Sequence, residues 1–143
     1  MPYRFLEDIA TADVAFEATA ESRTGLFAES AAALLGTMVA DQSTVVRKRE
    51  LAVELEENAF DLLLFAFLQE LVFLKDARRL LLHADEVQIV ETDGVFRLRA
   101  TVRGEEIDRE RHPLLVDVKA VTLHRFRAGC EGDTWRAVVV LDV

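Results

Sequence analysis

The chain has 143 residues, 51% hydrophobic and 30% charged, which matches one ordinary domain with a packed core. Its 17 basic residues face 26 acidic ones, and the formal charge of −9 argues against tight, general binding of RNA or DNA, which draws on Lys and Arg. A lone cysteine, Cys130, leaves no internal disulfide or CxxC metal site, and no apolar run is long enough to span a bilayer.

The segment 1–8 has no long apolar stretch behind a basic one, so no signal peptide is expected and a reduced, cytoplasmic protein is. Next, Val14, Phe16, Ala18 and Ala20 alternate with Ala15, Glu17, Thr19 and Glu21, the pattern of a half-buried strand. Thr24 is a candidate N-cap, and Phe27, Ala31, Leu34, Leu35 and Met38 predict a helix over 26–40. After a polar loop at 41–44, Leu51, Val53 and Leu55 predict a strand whose outer face, with Glu50, Glu54 and Glu56, is acidic. Asn58 is placed to cap a second helix, along which Phe60, Leu63, Leu64, Phe67, Leu71 and Leu74 form an apolar stripe. Leu62, Phe65, Val72 and Phe73 lie on its other side. A helix apolar on most sides is buried between layers or docks a partner. Residues 75–79 close it with a mostly basic tail that suits the helix dipole.

The second half reads as β. Val87, Ile89 and Val90 lead to Asp93-Gly94, a hairpin signal, and Phe96, Leu98, Ala100 and Val102 alternate beyond it. Residues 104–113 read as a charged loop. Val121, Leu123 and Phe126 predict another strand, and a turn at 131–133 leads into a last one from Trp135 to Leu141. Helices gather early and strands late, so the expected class is α+β, a single domain over 1–143.

The residues suited to chemistry are few. There is no G-x-S-x-G elbow, P-loop or G-x-G-x-x-G. His83, His112 and His124 lack zinc spacing and read as surface or loop histidines. Asp13 stands at the mouth of the first predicted strand. Asp142 stands at the end of the last, beside the terminal carboxylate of Val143. Their hard oxygens favour Ca²⁺, Mg²⁺ or Mn²⁺. Lys119, at the start of a strand, could complete a polar site with them. The plain alternatives are a turn residue at Asp13, a solvated end at Asp142 and a simple salt bridge at Lys119.

Read together, Thr11-Ala12-Asp13, the Phe27–Ala32 helix segment, Gly104-Glu105, His112, Val118-Lys119-Ala120-Val121-Thr122, His124 and Asp142-Val143 occur in the order and spacing of one pattern. In that order and spacing the chain resembles the archease family, along nearly its whole length. Two positions depart from the family pattern: Ala10 stands where a histidine usually precedes T-A-D, and Leu123 where tyrosine is common.

The resemblance implies a single α+β domain with two helices packed on β-sheet. It also implies a protein that is not an independent enzyme. Such a protein assists an RtcB-type RNA ligase, which joins 2′,3′-cyclic phosphate or 3′-phosphate ends to 5′-hydroxyl ends in tRNA splicing and RNA repair, by promoting its guanylylation and turnover. By the same resemblance, Asp13, Lys119 and Asp142 are the residues that act on the partner, and a divalent ion sits between Asp13, Asp142 and Val143. An alternative is a metal-dependent enzyme acting alone. Another is a chaperone-like module that binds proteins through the apolar face of the second helix.

Overall fold

The computed structural model describes residues 2–6 and 13–143. The expectations for Ala10, Thr11 and Ala12 lie outside the described residues. The elements in chain order are β1 (Tyr3–Leu6), β2 (Asp13–Ala20), α1 (Arg23–Met38), β3 (Arg49–Glu57), α2 (Phe60–Arg78), β4 (Leu80–Thr92), β5 (Val95–Glu106), β6 (Ala120–Glu131) and β7 (Thr134–Asp142), with a short 3₁₀ turn at Gln42–Thr44. The class is α+β.

The strands form two antiparallel sheets, ordered β1-β2-β7-β6 and β3-β5-β4. Helix α1 packs on β2 and β4, and α2 on β6 and β3, so each helix touches both sheets. This explains why α2 is apolar on most sides: Phe67 and Leu68 are fully buried in a core cluster shared by both sheets and both helices. Only Leu62 and Phe73 leave that helix as exposed large apolar side chains.

Local chemistry sets the boundaries, in places differently from the pattern reading. Helix α1 begins three residues earlier than expected because Ser22, not Thr24, caps it, its Oγ accepting from Gly25 N at 3.0 Å. Ala59 occupies the N-cap of α2 with no side-chain bond, so Asn58 does not cap it. The Asp93-Gly94 hairpin has φ of 52° and 78°, as a type I′ turn requires. The acidic outer face of β3 is neutralised in register, with Glu50 opposite Arg103, Glu54 opposite Arg99 and Glu56 opposite Arg97, each pair joined by a salt bridge.

The stretch 104–113 is less loop-like than expected. Strand β5 runs through Glu106, and Gly104 approaches the Leu81 carbonyl so closely that a Cβ there would lie 1.7 Å from the oxygen. The connection that follows is held by a buried network. Glu105, 3% exposed, accepts from Val46 N at 2.7 Å, from Arg111 and from His112 Nε2 at 3.0 Å. The Arg111 guanidinium, with the Val46 amide and His112, holds the Glu105 carboxyl at about 2 despite its burial. His112, 2% exposed, accepts from Asp108 N at its Nδ1, so its ring proton sits on Nε2 and is donated to Glu105. His112 is therefore a buried histidine on the connecting loop, not a surface one.

Candidate functional site: an acidic pair at one end of the sheet

Strand pairing brings the two ends of the chain together. In the β2–β7 ladder Asp13 is the direct partner of Asp142, and Val14 of Leu141. Directly opposed residues project from the same face, so two carboxylates stand side by side at the sheet's end. The opposite end of the same two strands, where Ala20 faces Trp135, carries an aromatic cluster in which the Arg23 guanidinium lies over Phe60, Phe96 and Trp135. The polar and aromatic ends of the sheet are thus separated by the length of β2.

Lys119 joins the acidic end. It immediately precedes β6, whose Ala120 is the other cross-strand partner of Asp142, and its amide donates to the Asp142 carbonyl at 2.8 Å. Among the described residues, the side chains of Asp13, Asp142 and Lys119 make no ion pair. Among the described residues, then, the plain salt bridge considered for Lys119 finds no partner. The contrast lies on the same face of β2, where Glu17 is bonded to both Arg4 and Arg136 at 3.1 Å. Burial works against ionisation of Glu17, and the two guanidiniums outweigh it, lowering its pKa. Among the described residues nothing comparable neutralises Asp13 and Asp142.

The segment before Lys119 is clamped from α2. Lys75 Nζ, on a side chain 4% exposed, reaches Asp117 Oδ1 at 2.5 Å, Asp76 Oδ1 at 2.6 Å and the Val118 carbonyl at 2.6 Å. Burial alone would lower the Lys75 pKa; the bonds to Asp117 and Asp76 reverse that and raise it. One and a half turns back, Gln69 accepts from Val121 N at 2.7 Å and closes part of the free edge of β6. Lys75 is therefore not part of a solvated basic tail. Its place four residues after Leu71, on the buried stripe, is the signal for this.

Beyond Thr122 the β6–β7 register breaks and resumes only at Arg127. Leu123, His124 and Arg125 are exposed on the resulting bulge, and Arg125 has a left-handed φ of 53°. Apolar side chains surround the acidic end. Phe5, Leu115 and Val116 are exposed and line, with Asp13, a groove of roughly 420 Å³, and Leu123 on the bulge is 62% exposed.

Among the described residues no three His, Cys, Asp or Glu side chains gather as a metal site, so side chains alone supply two donors at this end. Two like charges directly opposed across strands repel, and a cation between them would remove that cost. The donors are hard oxygens, the chemistry of Ca²⁺, Mg²⁺ and Mn²⁺ sites. Asp13 and Asp142 supply two donors of that chemistry.

Residues 3–143 match the model of the archease protein family. The chain belongs to the archease family. It is 32% identical to the protein archease of Methanopyrus kandleri and 34% identical to that of Archaeoglobus fulgidus, each over 143 residues and 100% of both chains. The fold is similar to the solution structure of protein 1598 from Methanobacterium thermoautotrophicum, with a TM-score of 0.85, 33% identity and 99% of each chain covered. It is also similar in fold to an archease of Thermotoga maritima, described as a possible chaperone, with a TM-score of 0.64, 20% identity and 94% of this chain and 93% of that one covered.

Proposed function

We propose that this archease is a non-catalytic, cytoplasmic cofactor of an RtcB-type RNA ligase. It promotes guanylylation and repeated turnover of the ligase as 3′-phosphate and 5′-hydroxyl RNA ends are joined. The observation that carries this reading is the register opposition of Asp13 and Asp142, with Lys119 bonded through its backbone to Asp142. These are the residues through which the family resemblance implies action on the ligase.

Asp13, Asp142 and the carboxylate of Val143 would hold a divalent cation, Ca²⁺ first among Ca²⁺, Mn²⁺ and Mg²⁺, which supplies a fixed positive charge that cancels the repulsion of the acid pair. Lys119, exposed and without an ion pair among the described residues, brings an ammonium to this end of the sheet, suited to a phosphate or carboxylate of the partner. The exposed apolar side chains of Phe5, Leu115, Val116 and Leu123 give the same end of the molecule material for a protein contact. A net charge of −9 leaves RNA to the ligase.

The test is a multiple-turnover ligation time course with the cognate ligase, with and without this protein. Wild type should accelerate turnover. Lys119→Ala and Asp13→Ala should each lose most of the stimulation while melting within a few degrees of wild type, because exposed groups of this kind contribute only about 0–1 kcal/mol to stability. Full stimulation by both variants would show that the site lies elsewhere. A chaperone-like reading is favoured by the exposed Phe73 on α2, 58% accessible. It requires promiscuous binding that ignores Asp13→Ala.

A further inference from the structure

We propose that the cavity between the end of α2 and the 107–117 connection is a second binding site, which takes an acidic–apolar peptide segment of a protein partner. Its volume is about 370 Å³, within the range of ligand pockets. Leu81, Ile107, Leu115 and Val116 form apolar walls, and Arg79 and Arg109 also line it. This cavity is separate from the groove at Asp13, and the two share only the wall made by Leu115 and Val116.

The cavity carries more cations than carboxylates. Three cations, Lys75, Arg79 and Arg109, face two carboxylates, Asp76 and Asp117. Lys75 is bonded to both of those carboxylates. Among the described residues neither Arg79 nor Arg109 has a carboxylate within ion-pair distance, although most arginines of the chain do, as in the β3–β5 ladder and the Glu105 network. Two guanidiniums with no ion pair among the described residues therefore border a cavity with partly apolar walls, on a rim whose outer side also carries Glu106, Asp108 and Glu110.

Both rise from backbone that is fixed in place. Arg79 is the residue that ends α2, with a left-handed φ of 55°, a position where glycine is the preferred residue. Its N–H donates to the Leu74 carbonyl and its carbonyl accepts from Ile107 N at 2.8 Å. An arginine at a left-handed helix end carries a conformational cost that glycine would avoid, so folding alone does not account for its side chain. Arg109 sits on the turn whose flanks are tied by His112 N to the Asp108 carbonyl at 2.8 Å and by Glu110 N to Asp108 Oδ1 at 3.0 Å. The buried Glu105–His112 pair anchors that turn to β5. The network thus has a use beyond stability, which is to fix the turn that carries Arg109 to the cavity it lines with Arg79.

A planar guanidinium matches a carboxylate, and two of them at the rim with aliphatic walls behind match a carboxylate next to an aliphatic side chain. The walls continue into the exposed Leu114, Leu115 and Val116, along which an extended peptide can lie. Of the nearby carboxylates, Asp76 and Asp117 are held by Lys75, and at physiological salt charges beyond about 8 Å are largely screened, so a short acidic segment meets the two guanidiniums where a long polyanion would meet the whole acidic surface.

The test is fluorescence anisotropy of a labelled peptide of alternating Leu and Glu, titrated with the whole protein at 0.15 M salt. Its partners are the same peptide with Lys for Glu and one with Ser for Glu. The proposal expects the Glu peptide to bind at least tenfold more tightly than either control, with affinity falling as salt rises. Arg79→Gly and Arg109→Gln should each weaken it about tenfold or more. Arg79→Gly places the residue that the backbone prefers, so its melting temperature should equal or exceed that of wild type and loss of folding cannot explain loss of binding. Equal binding of all three peptides, binding indifferent to both substitutions, or no measurable binding would overturn the proposal. So would displacement of the peptide by millimolar inorganic phosphate or ATP with no dependence on the Leu positions, which would assign the cavity to phosphate anions.

Discussion

Asp142 and Asp13 face each other across a strand pair with no ion pair to either among the described residues, while Glu17, on the same face of β2, has two arginines. If this imbalance serves a metal ion, Ca²⁺ or Mn²⁺ binds the native state preferentially and raises the melting temperature as its concentration exceeds the dissociation constant. Asp142→Asn should abolish most of that rise, and should raise the metal-free melting temperature slightly by removing the repulsion. A melting temperature indifferent to both ions would count against the metal. Glu105 leads to a different expectation. Its carboxyl titrates at about 2 in the fold against 4.5 ordinarily, with Arg111 the leading cause. A depressed acid stabilises the fold fully above about pH 4.5 and loses that contribution as pH falls toward 2. The difference is worth roughly 3 kcal/mol at neutral pH. Glu105→Gln should therefore lower stability at pH 7 and flatten its decline between pH 4.5 and 2, as chemical denaturation at each pH would report.

At the scale of elements, α2 both fills the core and controls the acidic end. Lys75 is buried, but its partners Asp76 and Asp117 have side chains 54% and 69% exposed. Removing the ammonium lets those carboxylates rehydrate, so the loss is that of its charged hydrogen bonds and not of a buried ion pair. Lys75→Met should cost about 1–3 kcal/mol globally. Its sharper effect should be local: hydrogen exchange at the Lys119 amide, bonded to Asp142, should speed up more than at the core amides of β7. Equal acceleration everywhere would show that Lys75 only stabilises. Strands β4 and β5 have their own tight point at Gly104. A methyl there meets the Leu81 carbonyl oxygen, part of the backbone, so Gly104→Ala should cost more than about 3 kcal/mol, or prevent folding, as read from its melt.

For the whole molecule, charge sets the expectation. Much of the basic complement is committed to ion pairs, and the net charge is −9. Affinity for single-stranded or transfer RNA should be weaker than micromolar at physiological salt and should fade as salt rises. A sub-micromolar dissociation constant in a filter-binding titration would contradict this. Among the described helices none is long and apolar enough to cross a membrane.

Much of this molecule could be read along the chain. Alternation marked β2, β3 and β5, an apolar run marked β7, Asp93-Gly94 marked a hairpin, and the ordered short motifs pointed to the family that the comparisons established. Those features are local, since period and turn chemistry are properties of a few neighbouring residues. The identity of a strand's partner is not local. Nothing in the pattern of β2 or β7 states that they pair, that the strands divide into two sheets, or that the register sets Asp13 opposite Asp142. A slip of one residue would put the two acids on different faces, and burial of Phe16, Val139 and Leu141 is what forbids it. Lys75, Glu105 and His112 were misjudged for the same reason, because charge predicts exposure only until tertiary packing supplies partners. The sequence by itself determined the elements and the side chains able to act. The tertiary structure decided which of them meet, because burial and strand register act between segments distant in the chain.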